Sequence, residues 1–387
     1  MNDTIYLDNS ATTEPSEASL QKMGEALRVC YANPGSVHAA GLQAQELLEE
    51  ARRQVTSSLG VRRPTEGQLF FTSGGTEANN LAILGSVFAK AKPSRGKIIL
   101  TDSEHPSVAA VAAKLATEGF DLCCIPTVGG MLDLDALEAA ADENVVLAAI
   151  MLVNNETGAL YPIKEAAELL RRKSPGAVIH CDAVQGYLRT PFAASSLGVD
   201  TLSVSAHKIH APKGAGALFV SRELLQRRRI APILHGGGQE GGLRSGTENV
   251  PAIAAFGAAA AEGMAEAEAR RAQVAHLRKY LLARLPATVQ VNTPARHVEA
   301  IVSITLPDVK SEVMLRALSA RKIYVSAGSA CAARSGKVSS TLLAYGLPRR
   351  QADCTLRISL SHKNPEAELD RFAAALAEEL RRLARMR

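Results

Sequence analysis

Lys208 stands in the run SVSAHKIHAPKGAGALFV, after an apolar stretch and ahead of a Gly-rich one. A neutral lysine amine condenses with an aldehyde, and the end of a buried strand suits that role because desolvation disfavours the ammonium. Upstream, the run HCDAVQG puts Asp182 at the end of another apolar stretch. A carboxylate there can pair with a pyridinium nitrogen and keep it protonated, which turns the ring into an electron sink. An amine for the aldehyde and a carboxylate for the ring nitrogen are what pyridoxal 5′-phosphate asks of a protein. Far downstream, SAGSACAARSGKVSS surrounds Cys331 with small residues. Such a segment suits a loop that carries an accessible, partly ionised thiol.

Other segments supply supporting chemistry. FTSGGTEANNLAILG places Ser73, Gly74, Gly75 and Thr76 just before a helical pattern, with Glu77 to cap its start. Small residues at a helix N-terminus let backbone N–H groups approach a phosphate. TDSEHPSV carries His105 directly after a strand-like run, and an imidazole titrates in the range where proton relay is useful. Taken singly, each residue has an ordinary reading: Asp182 as a helix N-cap, His105 as a structural histidine, Cys331 as a packing residue. Lys213, a little beyond Lys208, is a second lysine in the same stretch.

From YLDNSATT to LRISLS, in order, these motifs resemble the cysteine desulfurases of the NifS/IscS class. The resemblance implies the fold-type I architecture of pyridoxal-phosphate-dependent transferases, as in class V aminotransferases. It selects Lys208 over Lys213 through the pattern S-x-H-K. It implies that Gly75, Thr76, Ser205 and His207 bind the cofactor phosphate, that His105 stacks on the ring, and that Asn155 and Gln185 serve its phenolic oxygen side. Asn33 and Arg357 match residues that hold the substrate carboxylate, a role a guanidinium fits through bidentate bonding. Thr247, in RSGT, implies a homodimer in which this threonine reaches the neighbouring subunit's cofactor phosphate. The implied reaction converts L-cysteine to L-alanine, with Lys208 taking the α-proton and sulfur left on Cys331 as a persulfide for an acceptor protein.

The Cys331 segment matches the long-loop branch of that class. The chain ends at Arg387 without the longer tail that helps the IscS branch dock an iron–sulfur scaffold. The acceptor therefore stays open between a cluster scaffold and a tRNA-thiolation or other sulfur-transfer partner. Rival readings are a selenocysteine lyase or another class V enzyme, and a catalytically idle assembly partner.

To position these residues the chain alternates short apolar runs with amphipathic stretches between about Gly96 and Val220. KIILT, LCCIP, VVLAAIMLV, AVIHCD, TLSVS and GALFV read as strands buried on both faces of a mostly parallel sheet. PSVAAVAAKLATEG and IKEAAELLRRK read as the intervening helices. The implied domain is an α/β layer structure with a seven-stranded type of sheet, its site at the carboxyl ends of the strands. Pro251 opens one or two long helices, after which strand-like EAIVSITL and LRISLS flank a helix from Ser311 to Ala320. Leu369, Phe372, Leu376, Leu380 and Leu383 share one face of a final helix. The expected division is a large cofactor-binding domain over 13–255 and a smaller α+β domain from 1–12 and 256–387 that carries the Cys331 loop.

The 387 residues are 47% hydrophobic and 21% charged with net charge +5, the balance of an ordinary soluble globular protein whose basic clusters read as solvated helix faces more readily than as a nucleic-acid surface. The N-terminal residues lack an apolar signal region and no run is long enough to span a membrane. Six cysteines without CxxC spacing indicate neither a zinc site nor a disulfide framework. The expectation is a cytoplasmic, reduced protein in which all cysteines but Cys331 are buried packing residues.

Overall fold

The computed structural model describes residues 4–89, 96–328 and 338–384, so Cys331 lies outside the described residues. Its strands are β1 (Ile5–Tyr6), β2 (Gly67–Thr72), β3 (Lys97–Thr101), β4 (Asp121–Ile125), β5 (Val145–Met151), β6 (Val178–Asp182), β7 (Thr201–Ser205), β8 (Gly216–Ser221), β9 (Gln290–Asn292), β10 (Ile301–Thr305), β11 (Ile323–Tyr324) and β12 (Thr355–Ser359). The helices named below are α1 (Glu17–Arg28), α2 (Ala39–Ser58), α3 (Gly75–Phe88), α4 (Pro106–Thr117), α5 (Leu134–Ala140), α6 (Ile163–Lys173), α7 (Arg222–Gln226), α8 (Val250–Ala265), α9 (Ala267–Leu282) and α10 (Ser311–Ala320).

Seven strands form one sheet in the order β2-β8-β7-β6-β5-β3-β4. Neighbours from β7 to β4 pair in parallel, whereas β8 runs antiparallel to both β7 and β2. Every residue of β5, β6 and β7 is buried, as their unbroken apolar runs predict for strands covered on both faces. Successive residues feed opposite layers: Ile98 and Leu100 enter one core with Leu218 and Val220, while Ile99 enters the other with Ala217 and Phe219. Each such aliphatic side chain contributes about 1.5–3 kcal/mol by leaving water.

A separate core gathers Ile5, Leu7, Leu277, Leu281, Ile304, Leu356 and Ile358 around the antiparallel sheet β12-β10-β9. The expected face of the final helix, Glu366–Ala384, belongs to it: Leu369, Phe372, Leu376 and Leu380 are buried and Leu383 packs against them. The chain begins in this core through β1, which pairs with β11. Helix α8 sides with the large sheet, since Phe256, Ala259 and Ala260 join its core.

Strand β2 and two of the cysteines depart from the sequence reading. Strand β2, which ends ahead of the Gly-Gly turn, carries no strand expectation. It pairs with β8 along its whole length, from Gly67 against Ser221 to Thr72 against Gly216. Its apolar content is short, and an antiparallel partner so distant in sequence leaves no local signal. The cysteines also divide: Cys30, Cys181 and Cys354 are buried, but Cys123 is half-buried and Cys124 exposed. Both lie on β4, the sheet's edge, where one side of the strand faces solvent.

Candidate active site

The carboxyl ends of β3, β5, β6 and β7 open on the same edge of the sheet, and each delivers a candidate residue there. His105 follows β3, Asn155 follows β5, Asp182 ends β6, and Lys208 lies in a short 3-10 turn after β7. With Gly75, Thr76, Gln185, Ser205, His207 and Arg357 they line one cavity of about 260 Å³. Ten of the expected residues thus converge.

Lys208 Nζ donates to the carbonyls of Ser10 and Ala11, at 2.6 and 2.7 Å. Burial, reinforced by the guanidinium charges of Arg189 and Arg357, pulls its amine down to about 7. That places a useful fraction of free amine at neutral pH, the form that attacks a carbonyl carbon. Lys213 is exposed and lies outside the cavity lining.

Asp182 is held at both oxygens. Oδ2 accepts from Asn79 Nδ2 at 2.7 Å and Oδ1 from the Val184 amide at 3.0 Å. The imidazole of His105 caps α4, its Nδ1 accepting from the Ser107 amide at 3.2 Å, with Pro106 at the helix start. Burial lowers the basicity of His105, the Lys208 charge lowers it further, and Asp182 opposes both. His207 is drawn down to about 4 by burial and by the cations Lys208, Lys213 and Arg189, so it meets a ligand as a neutral ring.

Helix α3 starts at Gly74 without a side-chain cap, which leaves its first-turn amides open. Glu77 instead accepts from the Ser73 amide and pairs with Arg244 at 2.7 Å. The Ser205 hydroxyl is buried without a partner. A side chain at residue 75 would put its Cβ 2.8 Å from Val184 Cγ2, and one at 216 would meet the Gly74 backbone. Backbone amides, an unpaired hydroxyl and enforced glycines make a cradle for a small anion.

Arg357 donates through Nη1 to the Asn155 carbonyl and through Nη2 to Asp8, while its buried Nε has no partner. Gln185 donates to the Ser10 carbonyl at 2.9 Å and its oxygen accepts from Arg189. Two expected residues stay outside the cavity: Asn33 is exposed with Oδ1 accepting from the Gly35 amide, and Thr247 is exposed.

Asn79, Ser107, Glu104, Asp8 and Arg189 were not anticipated. Asn79 sits one turn into α3, behind the Gly-Gly turn, where helical spacing could have placed it under the cradle. Glu104 is fully buried beside His105, Oε1 accepting from Thr101 and the Met151 amide, and burial pushes its carboxyl up to about 8. Among the described residues no group of histidine, cysteine and carboxylate side chains could hold a metal ion, and no helix is long and apolar enough to cross a membrane.

Comparison with known proteins agrees with this arrangement. The pattern that defines aminotransferase class-V matches residues 5–372. A cysteine desulfurase of Trichormus azollae is 38% identical over 98% of this chain and 93% of its own length. A solved NifS-like protein superposes with a TM-score of 0.90 at 34% identity, covering 97% of this chain and 99% of that one. The structure of SspA in complex with cysteine gives 0.81 at 30% identity over 94% and 100%. The chain belongs to the class-V aminotransferase family, within its NifS/IscS-like group.

Proposed function

We propose that this protein is a cysteine desulfurase that uses pyridoxal 5′-phosphate, converts L-cysteine to L-alanine and hands the sulfur to an acceptor protein. The observation that carries this reading is Lys208, an amine drawn down to about 7 in a cavity it shares with Asp182 and the α3 cradle. The residues present fit the cofactor: an amine for its aldehyde, a carboxylate for its ring nitrogen, and the Ser205 hydroxyl and α3 amides for its phosphate. When bound, the cofactor supplies an electron sink for the bond pair left at the substrate's α-carbon.

The chain's own groups have separate duties. Gly75, Thr76, Ser205 and His207 would hold the phosphate, joined by Thr247 from a second copy in a homodimer. Asn155 and Gln185 would orient the ring from its phenolic oxygen side, and His105 would cover it. Arg357, with Asn33, receives the substrate carboxylate, its charge already shared with Asp8. Lys208 takes the proton from the α-carbon. The thiolate of Cys331 then attacks the substrate sulfur: the carbon–sulfur bond breaks, a sulfur–sulfur bond forms on Cys331, the β-carbon takes up a proton, and Lys208 returns a proton to the α-carbon. The products are alanine and a persulfide, with no outside oxidant or reductant. A thiol on the acceptor removes the outer sulfur.

The test is direct: purified protein incubated with L-cysteine, cofactor and a reducing thiol should release sulfide and alanine in equal amounts. Alanine without sulfide, or pyruvate in place of alanine, would reject the reading.

A further inference from the structure

A continuous set of hydrogen bonds runs from the floor of the cavity to the His105 ring. Asn79 Nδ2 lies 2.7 Å from Asp182 Oδ2 and 2.8 Å from Ser107 Oγ, and Ser107 Oγ lies 2.7 Å from His105 Nδ1. On its other side, Asn79 Oδ1 lies 3.0 Å from His180 Nε2, whose Nδ1 lies 2.9 Å from Thr201 Oγ1. Asn79, His180 and Asp182 are all buried.

The direction of each bond follows from the first. A flipped Asn79 amide would set its oxygen against the Asp182 carboxylate, so the NH2 group must face Asp182. That group's second hydrogen then points at Ser107 Oγ, and Oδ1 must accept from His180 Nε2–H. His180 is neutral, because burial draws it down to about 4, so its Nδ1 accepts from the Thr201 hydroxyl. Ser107, already accepting from Asn79, spends its single hydroxyl proton on His105 Nδ1. The Ser107 amide points at the same nitrogen, at 3.2 Å. The amide can only donate, so Nδ1 must present a lone pair to it, and the Ser107 hydroxyl, which could otherwise accept, donates there as well.

We infer that Asn79 is a positioning residue that, through Ser107, holds neutral His105 in the Nε2–H tautomer while it fixes the Asp182 carboxylate. The same amide serves both faces of the reaction, the ring-nitrogen partner and the imidazole. A proton on His105 Nδ1 would require the relay to break, so the relay resists protonation of the ring. The charged and titratable groups facing His105 from other elements are Asp182 after β6, Lys208 and His207 after β7, and Arg357 on β12; Glu104 precedes it in its own loop. None of these lies within the relay except Asp182.

The inference rests on the reading of the cavity as the active site, but its test needs no turnover. Full-length protein labelled with 15N-histidine, with and without pyridoxal phosphate, would be titrated by NMR, with His105→Gln used to assign the His105 signals. The expected wild-type pattern near neutral pH is a bare Nδ1 and a protonated Nε2. Ser107→Ala removes one of the two donors and should raise the titration midpoint of His105 by about 0.5–1 pH unit. Asn79→Asp frees the serine hydroxyl to turn from the imidazole to the new carboxylate and should raise it further. Ser107→Thr keeps a hydroxyl and should restore the wild-type midpoint. A His105 carrying its neutral proton on Nδ1, or a midpoint unmoved in both Ser107→Ala and Asn79→Asp with native circular dichroism, would overturn the inference. Because Ser107→Ala disturbs only a helix-start hydroxyl, the test stands even if Asn79→Asp fails to fold. In the loaded enzyme the acidic limb of the kcat/KM profile should move with the NMR midpoint. Absence of desulfurase activity with the NMR shifts intact would reject the functional reading and leave the relay standing.

Discussion

Nη2 of Arg357 donates to Oδ1 of Asp8 at 2.8 Å, an ion pair that joins the small sheet to the N-terminal segment beside Lys208. The same guanidinium lowers the basicity of Lys208, whereas the Asp8 carboxylate raises it. The pair therefore bears on both the anion-binding power of the cavity and the amine of its lysine, whose depression comes first from burial.

Arg357→Lys should raise KM for cysteine about tenfold or more with a smaller effect on kcat, because an ammonium cannot reproduce the planar fork that grips a carboxylate. Asp8→Asn should act on the amine instead and lower its midpoint further. Steady-state kinetics on both variants would separate the effects; equal changes in kcat and KM for Arg357→Lys would contradict a carboxylate-binding role.

Lys208→Ala should bind pyridoxal phosphate without the visible absorbance of a lysine-linked aldehyde and should have no turnover, while Lys213→Ala keeps both. In wild type, capture of the aldehyde by the apoprotein should gain rate up to about pH 8, with a midpoint near 7. A rate still climbing through pH 10 would mean that the amine is not depressed.

Glu104 supplies a stability test with a definite sign. Its carboxyl is pushed up to about 8 in the folded chain, above the roughly 4.3 of an unfolded one. The folded state thus holds a proton that the unfolded state has lost, and stability drains away as pH rises from about 4.3 to 8. Lys208 has the opposite sign and adds stability only above about pH 7. The Tm of apoprotein Glu104→Gln relative to wild type should therefore improve between pH 5 and pH 8. A difference independent of pH would refute a protonated Glu104.

Cys331→Ser should keep cofactor binding and its spectral response to cysteine yet release almost no sulfide. Persistent wild-type turnover would point to a lyase that needs no protein thiol.

Thr247 offers a test of subunit sharing. Mixing Lys208→Ala protein with a Thr247→Trp variant, each inactive alone, should restore part of the activity, since one site of each mixed dimer then carries neither lesion. No rescue despite demonstrated subunit exchange would remove Thr247 from the partner's site.

The residues proposed to perform chemistry were more legible in the sequence than the residues that hold them. Asp182 announces itself by ending a buried strand and Lys208 by following one within three residues, and β5 to β7 are buried on both faces as their patterns require. Helices α6 and α10 fall where their periodicity puts them, at Ile163–Lys173 and Ser311–Ala320. Asn79 and Ser107 left no such trace. Asn79's partners lie on other elements, Asp182 and His180 on β6 and Ser107 on α4, while the bond from Ser107 to His105 two residues back looks like any helix cap. Strand β2 was missed for a related reason, its partner β8 being far along the chain.

The first residues of the chain also dictate an order of assembly. Ile5 and Tyr6 pair with Ile323 and Tyr324, Asp8 with Arg357, and Asn9 donates to the Ser359 carbonyl, before Ser10 and Ala11 pass under Lys208. Those partners emerge from the ribosome long after the residues they hold. A nascent chain that has finished its large sheet still lacks the segment that braces the lysine, because closing so long a loop must await the far strand. The Lys208 amine should consequently reach its buried environment only after the far strand β12 has been made.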